Sequence, residues 1–230
     1  MAVDSSEYWN GLWEAGNIKW HLPTVSPHLK KNWLRFCPDS LNSKKVLVPL
    51  CGKTLDLEWL YVERKCIVVG CDLSEKAFLQ FAEEHPELKI RKKQVTFRNG
   101  QQFTLFCTPD ERLRLYVCDF FIMTQSPESS FNLVWDANAL VAVEPVLRQK
   151  YMEVILNVST SNVRWLLQTY DYPPEQHNSH PYSFSDADLK ALFDGSFHFE
   201  ILSREEVVNP AFAKTDCFLR MVLLTRNTSN

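Results

Sequence analysis

Gly52 and Asp72 are the two residues whose types and spacing point most directly to chemistry. Gly52 follows an apolar run from Val46 to Leu50, and Asp72 follows a second apolar run from Cys66 to Cys71. A tight turn after one strand, with an acid at the end of the next strand about 20 residues on, is typical of a fold that binds the ribose of a nucleotide. The stretch therefore predicts a β-α-β unit with Asp72 as the ribose ligand.

The turn itself indicates which kind of nucleotide to expect. A dinucleotide site uses three glycines to approach the pyrophosphate, and this turn has only Gly52. The sequence Gly52-Lys53-Thr54 is similar to the end of a phosphate-binding loop, but the first glycine of that motif would fall at Leu47. A nucleoside without phosphates is therefore favoured, and S-adenosylmethionine is the commonest such ligand. The alternative is that the turn and the acid are purely structural.

Three tryptophans near the amino terminus form a second group of interest. Trp9 and Trp13 are four residues apart and share one face of a predicted helix, which ends before Trp20 and His21. One interpretation is an amphipathic helix that caps the core. The other is a lid, within residues 1–30, whose indoles cover a flat or cationic ligand.

The elements that must position these residues alternate along the chain. Apolar runs and helical patterns predict an α/β, Rossmann-like fold, with a mostly parallel seven-strand sheet whose last strand is reversed. An inserted hairpin is predicted because Gln94–Arg98 and Gln102–Cys107 flank Asn99-Gly100. The other predicted strands are 46–50, 66–71, 113–118, 131–135, 163–169, 198–203 and 217–225. The predicted helices include 28–36, 75–84 after a Ser74 cap, 148–158, and 186–193 after a Ser185 cap.

Polar residues at the ends of the later strands are candidates for the site. In an open parallel sheet, ligands bind outside the carboxyl ends of the strands. Asp119 ends one strand and is either the first residue of a helix or an adenine contact. Asp136, Ala137 and Asn138 end another strand and are expected to line the site, whereas Asp171 begins a long loop expected to form its rim.

Composition narrows the class of protein and its partners. A chain of 230 residues without a Pro/Gly/Ser-rich linker predicts one domain, 1–230, and a formal net charge of −3 disfavours nucleic acid and anionic membranes as partners. We expect a cytoplasmic location, because no apolar run reaches the roughly 20 residues of a membrane span and the amino terminus lacks the pattern of a signal peptide. We also expect a monomer. Seven cysteines in no CxxC spacing favour reduced core thiols over disulfides or a zinc site.

Several motifs together resemble those of the thiopurine S-methyltransferase family. The matching pieces are W-x3-W at Trp9 and Trp13 with Trp20-His21, PLCGK at 49–53, VVGCDLSE at 68–75, FNLVWDANALVAV at 131–143, TYDYP at 169–173, and DCFLRMVLLT near the end. They cover nearly the whole chain in family order. The resemblance implies a class I methyltransferase that binds S-adenosylmethionine and passes its methyl group to the sulfur of a small thiol or to another soft nucleophile, leaving S-adenosylhomocysteine.

The resemblance also implies a role for each matching residue. Trp9 and Trp13 would pack on the cofactor. Its methionine part would lie along Leu50 and Gly52, with Asp136 and Ala137 near the methionyl end. Asp72 would hold the ribose hydroxyls, and the adenine would lie between Leu73, Asp119 and Phe120. Trp20 stands in for the family's phenylalanine and would contact both cofactor and acceptor. Apart from the resemblance, we expect Trp20, His21, Asn138 and Asp171 to bind the acceptor. One of Asp136, Asn138, His21 or Asp171 would orient it, with Asp136 and Asn138 as the first candidates, and no single residue would be indispensable for proton removal.

Two departures from the family pattern concern the acceptor. Ala137 stands where the family has an arginine, and a second arginine is replaced near Asn209. Because both arginines are associated with a purine acceptor, their loss favours a smaller acceptor such as sulfide, a selenol, a halide or an aliphatic thiol. A metal-dependent O-methyltransferase using Asp136 and Asp171 is a further alternative, although no adjacent second carboxylate is evident and no metal is expected. The remaining alternative is a protein that binds S-adenosylmethionine without catalysis.

Overall fold

The computed structural model describes residues 5–41, 44–208 and 216–227, and nine strands in this part of the chain form one sheet. The strands are β1 Lys45–Pro49, β2 Ile67–Asp72, β3 Arg91–Thr96, β4 Gln102–Cys107, β5 Leu113–Val117, β6 Phe131–Ala137, β7 Ser159–Asp171, β8 Phe197–Glu206 and β9 Phe218–Arg226. The helices are α1 Ser5–Glu14, α2 Pro27–Phe36, α3 Asp56–Val62, α4 Glu75–Glu84, α5 Ala139–Ala142, α6 Arg148–Val158 and α7 Asp186–Phe193.

The strand order is β3-β4-β5-β2-β1-β6-β7-β9-β8. Neighbouring strands from β5 to β7 run parallel, whereas β9 lies antiparallel to both β7 and β8. The predicted Rossmann-like α/β fold with a reversed last strand is therefore confirmed. Seven of the described strands form the expected sheet, and the inserted hairpin β3-β4 extends it to nine because β4 pairs antiparallel with β5.

The first strand of the hairpin begins and ends earlier than its alternating pattern indicates, whereas the second strand is Gln102–Cys107, as predicted. The first strand is Arg91–Thr96 rather than Gln94–Arg98, and Thr96 pairs with Gln102. Arg98 leaves the ladder because its backbone N–H donates to the carbonyl of Gln125 at 2.7 Å. Phe97 turns inward at the same point and stacks on Phe103 in the core, with ring centroids 4.3 Å apart.

Alternate residues of the central strands enter two different cores. Leu47 of β1 belongs to an apolar cluster that includes residues of α5, α6 and α7, whereas Val46 and Val48 belong to a cluster that includes residues of α2, α3 and α4. Because successive side chains of a strand point to opposite faces, the sheet lies between two helical layers. This arrangement places the carboxyl ends of β1, β2, β5 and β6 along one edge.

Of the two predicted serine caps, the structure confirms the one at α7 but not the one at α4. Ser185 caps α7 as predicted, in a capping box where its hydroxyl accepts from the backbone N–H of Asp188. The predicted Ser74 cap is wrong in its chemistry: Ser74 precedes α4, but its side chain makes no capping hydrogen bond. Its backbone N–H instead donates to Asp72.

The seven cysteines are all buried and free, as expected for reduced core thiols. No helix in the described segments has the length and apolar character that a membrane crossing requires.

Candidate active site

The turn after β1 and the acid that ends β2 form one hydrogen-bonded unit. The backbone N–H of Gly52 donates to Asp72 Oδ2 at 2.7 Å, and that of Ser74 donates to Asp72 Oδ1 at 2.9 Å. Gly52 has a φ of +50°, which glycine adopts readily. Burial raises the pKa of the Asp72 carboxyl, and backbone donors at Ser74, Gly52 and Leu73 oppose that shift. The two residues that the sequence pairs across one nucleotide-binding unit are thus in direct contact.

The tryptophans of α1 pack over this turn. A Cβ on Gly52 would lie 3.0 Å from Trp13 Cζ2, and Trp13 is 3% exposed. Trp20 lies edge-on to both Trp9 and Trp13, with ring centroids 5.3 and 6.2 Å away. Trp13 is therefore part of the core, as expected for a helix that caps it. Trp9 instead lines a cavity, as expected for a lid over a ligand.

A cavity of about 190 Å³ opens beside the turn. Its lining consists of Trp9, Leu50, Leu73, Asp119, Phe120, Phe121, Ala142, Val143, Glu144, Leu147, Tyr151 and His180. Five of these are predicted cofactor residues, namely Trp9, Leu50, Leu73, Asp119 and Phe120. Since they come from four separate parts of the chain, the fold brings together most of the expected adenine and lid side of the site.

Asp119 has a structural role in addition to lining the cavity. Its Oδ1 accepts the backbone N–H of Phe121 at 2.9 Å and so caps the short 3-10 helix Phe120–Gln125. The interpretation of Asp119 as a helix-start acid is confirmed. Its contact with adenine stays a prediction.

The end of β6 is an internal hydrogen-bond network. Asp136 is fully buried, its Oδ1 accepts the backbone N–H of Leu140 at 3.1 Å, and its Oδ2 accepts the hydroxyl of Tyr151 at 2.8 Å. Burial raises the pKa of Asp136 to about 6, against the opposing effect of these donors. Asn138 begins α5 with a φ of +68°, and its side-chain oxygen accepts from Gln168 Nε2 at 3.1 Å. In this structure both side chains hold neighbouring elements, and their orienting role stays a prediction.

The remaining predicted acceptor residues lie away from the described lining of the cavity. Asp171 Oδ2 is 3.3 Å from Nη2 of Arg204 and 3.8 Å from Nη1 of Arg220. The pKa of His21 is lowered by burial and by the nearby charge of Lys53. The second departure from the family pattern, near Asn209, lies outside the described residues.

Asp136 and Asp171, the two acids considered for a metal-dependent reaction, bind different groups of the protein. Asp136 is held by Leu140 and Tyr151, and Asp171 by arginines. Among the described residues, a grouping with metal-ligand spacing is found elsewhere, at Glu58, His85 and Glu87. His85 Nδ1 lies 3.5 Å from the first carboxylate and 3.4 Å from the second, and both acids are substantially exposed.

Sequence reasoning missed Glu144, Leu147 and Tyr151, which line the cavity after β6. These residues carry no pattern that distinguishes them from an ordinary helix and its leading turn. His180 had a partial signal, because it lies on the loop predicted to form a rim. Arg148 holds the end of that loop, because its guanidinium donates to the carbonyl of Ser183 at 3.1 Å.

Comparison with known proteins identifies the family. A family model described as Thiopurine S-methyltransferase matches residues 4–224. The chain belongs to the thiopurine S-methyltransferase family. It is 32% identical to a probable thiopurine S-methyltransferase of Danio rerio over 87% of this chain and 84% of that protein. It is also 32% identical to a thiopurine S-methyltransferase of Shewanella loihica over 90% of this chain and 91% of that protein.

Solved structures support the fold at lower identity. A 1,6-didemethyltoxoflavin-N1-methyltransferase of Burkholderia thailandensis aligns with a TM-score of 0.63 at 16% identity, over all of this chain and 92% of that one. A geranyl diphosphate C-methyltransferase of Streptomyces coelicolor aligns with a TM-score of 0.63 at 14% identity, over the full length of both chains. As a member of its family, the protein is an S-adenosylmethionine-dependent S-methyltransferase.

The residues present fit this cofactor. The backbone N–H groups of Gly52 and Ser74 donate to different oxygens of Asp72, and a carboxylate has about four acceptor positions in all, which leaves room for a ribose hydroxyl. Leu73 and Phe120 supply apolar walls suited to an adenine, and Trp9 supplies an aromatic face suited to a cation. When bound, S-adenosylmethionine supplies a methyl group already activated by the positive charge of the sulfonium.

Proposed function

We propose that the acceptor of this S-methyltransferase is a small thiol, aromatic or aliphatic, and that thiopurines are poor acceptors. The supporting observation is the end of β6, where Asp136, Ala137 and Asn138 follow one another without the arginine of the family pattern. Ala137, at the family's arginine position, packs against core side chains instead of offering a charge. A purine that relies on arginine contacts therefore lacks its partner here.

The residues of the chain act mainly by positioning. The acceptor sulfur attacks the methyl carbon as the carbon–sulfur bond of the sulfonium breaks, and the thiol proton passes to solvent. A free thiol ionises near pKa 8.5 and an aromatic thiol lower, so a strong base is not required at neutral pH. Holding the two sulfurs and the methyl carbon collinear contributes about 7–11 kcal/mol through prepaid entropy. The rings of Tyr8, Trp9 and His180 pack together at the cavity, where they limit access of water.

The test is methyl transfer from labelled S-adenosylmethionine to thiophenol, a small aliphatic thiol, a thiopurine, sulfide, iodide and a catechol, each with and without chelator. We expect turnover of thiophenol or of the aliphatic thiol, with much lower kcat/KM for the thiopurine and no effect of chelator. Equal use of thiopurine and thiophenol would contradict the proposal. Turnover of catechol alone, abolished by chelator, would indicate an O-methyltransferase, and cofactor binding without any turnover would indicate a binding protein.

A variant tests the role of the missing arginine. Ala137→Arg restores the charge of the family pattern, and we expect it to raise the ratio of thiopurine to thiophenol turnover. Ala187→Arg adds the same charge on the exposed surface of α7 and is the matched control. Thermal melting of both variants establishes that they fold. An unchanged ratio in a folded Ala137→Arg protein would show that the arginine does not decide acceptor choice.

We propose further that the enzyme acts as a cytosolic monomer without a nucleic-acid or membrane partner. The support is the formal net charge of −3, which gives the chain no excess of basic residues to attract polyanions. Sedimentation velocity at micromolar concentration, where we expect a single species near 26.8 kDa, tests the oligomeric state.

A further inference from the structure

Glu58, His85 and Glu87 bring three possible metal-ligand atoms together where two helices meet. Glu58 lies on α3, His85 follows the last residue of α4, and Glu87 lies in the short 3-10 helix Pro86–Leu88. One oxygen of each carboxylate and one ring nitrogen all lie within 4.8 Å of one another. None of the three residues belongs to the described lining of the cavity beside Gly52, so the group is separate from that cavity.

The imidazole of His85 is the buried member of the group. The residue is 8% exposed, and its ring packs on that of Phe81 with centroids 4.5 Å apart. Nδ1 faces both acids, at 3.5 Å from Oε2 of Glu58 and 3.4 Å from Oε1 of Glu87. A charge-assisted hydrogen bond from nitrogen to a carboxylate is shorter, about 2.7–2.9 Å. Nδ1 is therefore close to both carboxylates without a hydrogen bond to either.

These two distances match those between the ligands of a tetrahedral metal ion. Zn²⁺ binds imidazole nitrogen at about 2.0–2.1 Å and carboxylate oxygen at about 2.0–2.2 Å. Two such ligands on a tetrahedron lie about 3.4 Å apart, because its edge is about 1.6 times the distance from the centre to a corner. The carboxylates can also approach each other, since the side chains of Glu58 and Glu87 are 36% and 58% exposed.

The charge of the group also suits a divalent cation. Among the described ion pairs, Glu58 and Glu87 meet no lysine or arginine, and each has His85 as its basic partner. Two carboxylates balance one divalent ion, whereas a protonated imidazole balances only one carboxylate. Mg²⁺ and Ca²⁺ take oxygen ligands, whereas imidazole suits Zn²⁺. The mixed nitrogen and oxygen set therefore favours zinc.

We infer that Glu58, His85 and Glu87 bind one zinc ion, with water in the fourth position, and that the ion joins α3 to the end of α4. α3 follows the turn of Gly52, and α4 follows Asp72, so the ion connects the two helices that come after the hydrogen-bonded unit. Such an ion stabilises the folded chain because the unfolded chain lacks the assembled ligands. The inference does not depend on which acceptor the enzyme uses.

The experiment is isothermal titration of Zn²⁺, Mg²⁺ and Ca²⁺ into protein first treated with chelator, at pH 7.5. We expect one Zn²⁺ per chain, with weaker binding of the other two ions. Glu58→Gln and Glu87→Gln should each weaken Zn²⁺ binding at least about tenfold, since even an outer-shell partner of a metal ligand contributes roughly 10- to 100-fold to affinity. Glu63→Gln removes the same charge from an exposed position just after α3 and should stay within about twofold of the unaltered protein.

His85→Phe removes the ring nitrogens but retains an aromatic ring against Phe81, and it should abolish Zn²⁺ binding. Thermal melting establishes which variants fold, and Zn²⁺ should raise the melting temperature of the unaltered protein and of Glu63→Gln alone. If His85→Phe does not fold, the two exposed glutamates decide the matter. Zn²⁺ affinity unchanged in folded Glu58→Gln and Glu87→Gln would overturn the inference, as would no binding to the unaltered protein at millimolar Zn²⁺.

The buried free cysteines are the rival zinc ligands. X-ray absorption of the zinc-loaded protein distinguishes them from the proposed set. We expect nitrogen and oxygen at about 2.0–2.2 Å from the metal and no sulfur at about 2.3 Å. A sulfur neighbour would show that the ion is bound by thiols, and the assignment to Glu58, His85 and Glu87 would be wrong.

Discussion

Asp72→Asn tests the predicted role of Asp72 as the ribose ligand of the cofactor. In the structure each carboxylate oxygen of Asp72 accepts one backbone N–H, from Gly52 at 2.7 Å and from Ser74 at 2.9 Å. An asparagine offers only one oxygen, so its NH2 group must face one of these two donors. A buried donor left unsatisfied in this way costs about 1–3 kcal/mol.

The effect on cofactor affinity is separate and larger. The charge-assisted hydrogen bond from a ribose hydroxyl to a carboxylate is worth about 1.5–3 kcal/mol, so losing one lowers affinity roughly 10- to 150-fold. Removing the charge also relieves the desolvation that raises the pKa of Asp72, which offsets part of the stability loss. Affinity is therefore the primary readout, and the melting temperature is secondary.

The assay is isothermal titration of S-adenosylhomocysteine into each protein at pH 7.5. Asp72→Glu retains the charge and matches the acid usual in the family, so we expect it to keep most of the affinity. Asp194→Asn removes a charge from an exposed position after α7 and controls for net charge. An Asp72→Asn protein that folds and binds S-adenosylhomocysteine within about twofold of the unaltered enzyme would refute the assignment of Asp72 to the ribose.

Two further predictions concern buried carboxylates. Glu128 is 5% exposed, and its pKa is lowered to about 2, against the cost of burial, by ion pairs with Arg114 and Lys45. An acid whose pKa is lower in the folded than in the unfolded protein stabilises the fold above its unfolded-state pKa, and this stabilisation is lost as the pH falls towards 2. Glu128→Gln should therefore reduce the free energy of unfolding by about 3 kcal/mol at pH 7. In urea titrations the difference between the two proteins should shrink below pH 4. Asp136 has the opposite sign: its pKa is raised to about 6, so its contribution to stability falls as pH rises from about 4 to 6. Tyr151→Phe removes a donor to this carboxylate and should lower the free energy of unfolding by about 1–3 kcal/mol, more at pH 7.5 than at pH 5; equal losses at both pH values would contradict the ionised state of Asp136.

Part of the fold and of the site could be predicted from the sequence, because the patterns that indicate it are local or periodic. Apolar runs predict the strands, and the spacing from Gly52 to Asp72 predicts one β-α-β unit, in which the structure shows the two residues joined by a hydrogen bond. The hairpin signal at Asn99-Gly100 is also correct. The bounds of its second strand are correct as well. Those of the first strand are not, because the carbonyl of Gln125 and the core around Phe97 compete with the strand ladder.

The family motifs indicate which residues belong near the cofactor but not which way their side chains turn. Asp136 has the position expected of a site residue, yet its carboxylate turns inward, because Tyr151 and the start of α5 supply buried donors for it. Asp171 is likewise drawn to arginines on β8 and β9, strands that lie far from it in sequence.

The sequence by itself determined the class of fold, the turn after β1 and the acid that closes it, since these depend on residue type at short spacing. Only the tertiary structure decided the rest of the wall of the cavity beside that turn. Glu144, Tyr151 and His180 meet there because β6, α6 and the loop after β7 converge on one edge of the sheet. No spacing along the chain encodes that convergence, which results from packing two helical layers against a twisted sheet.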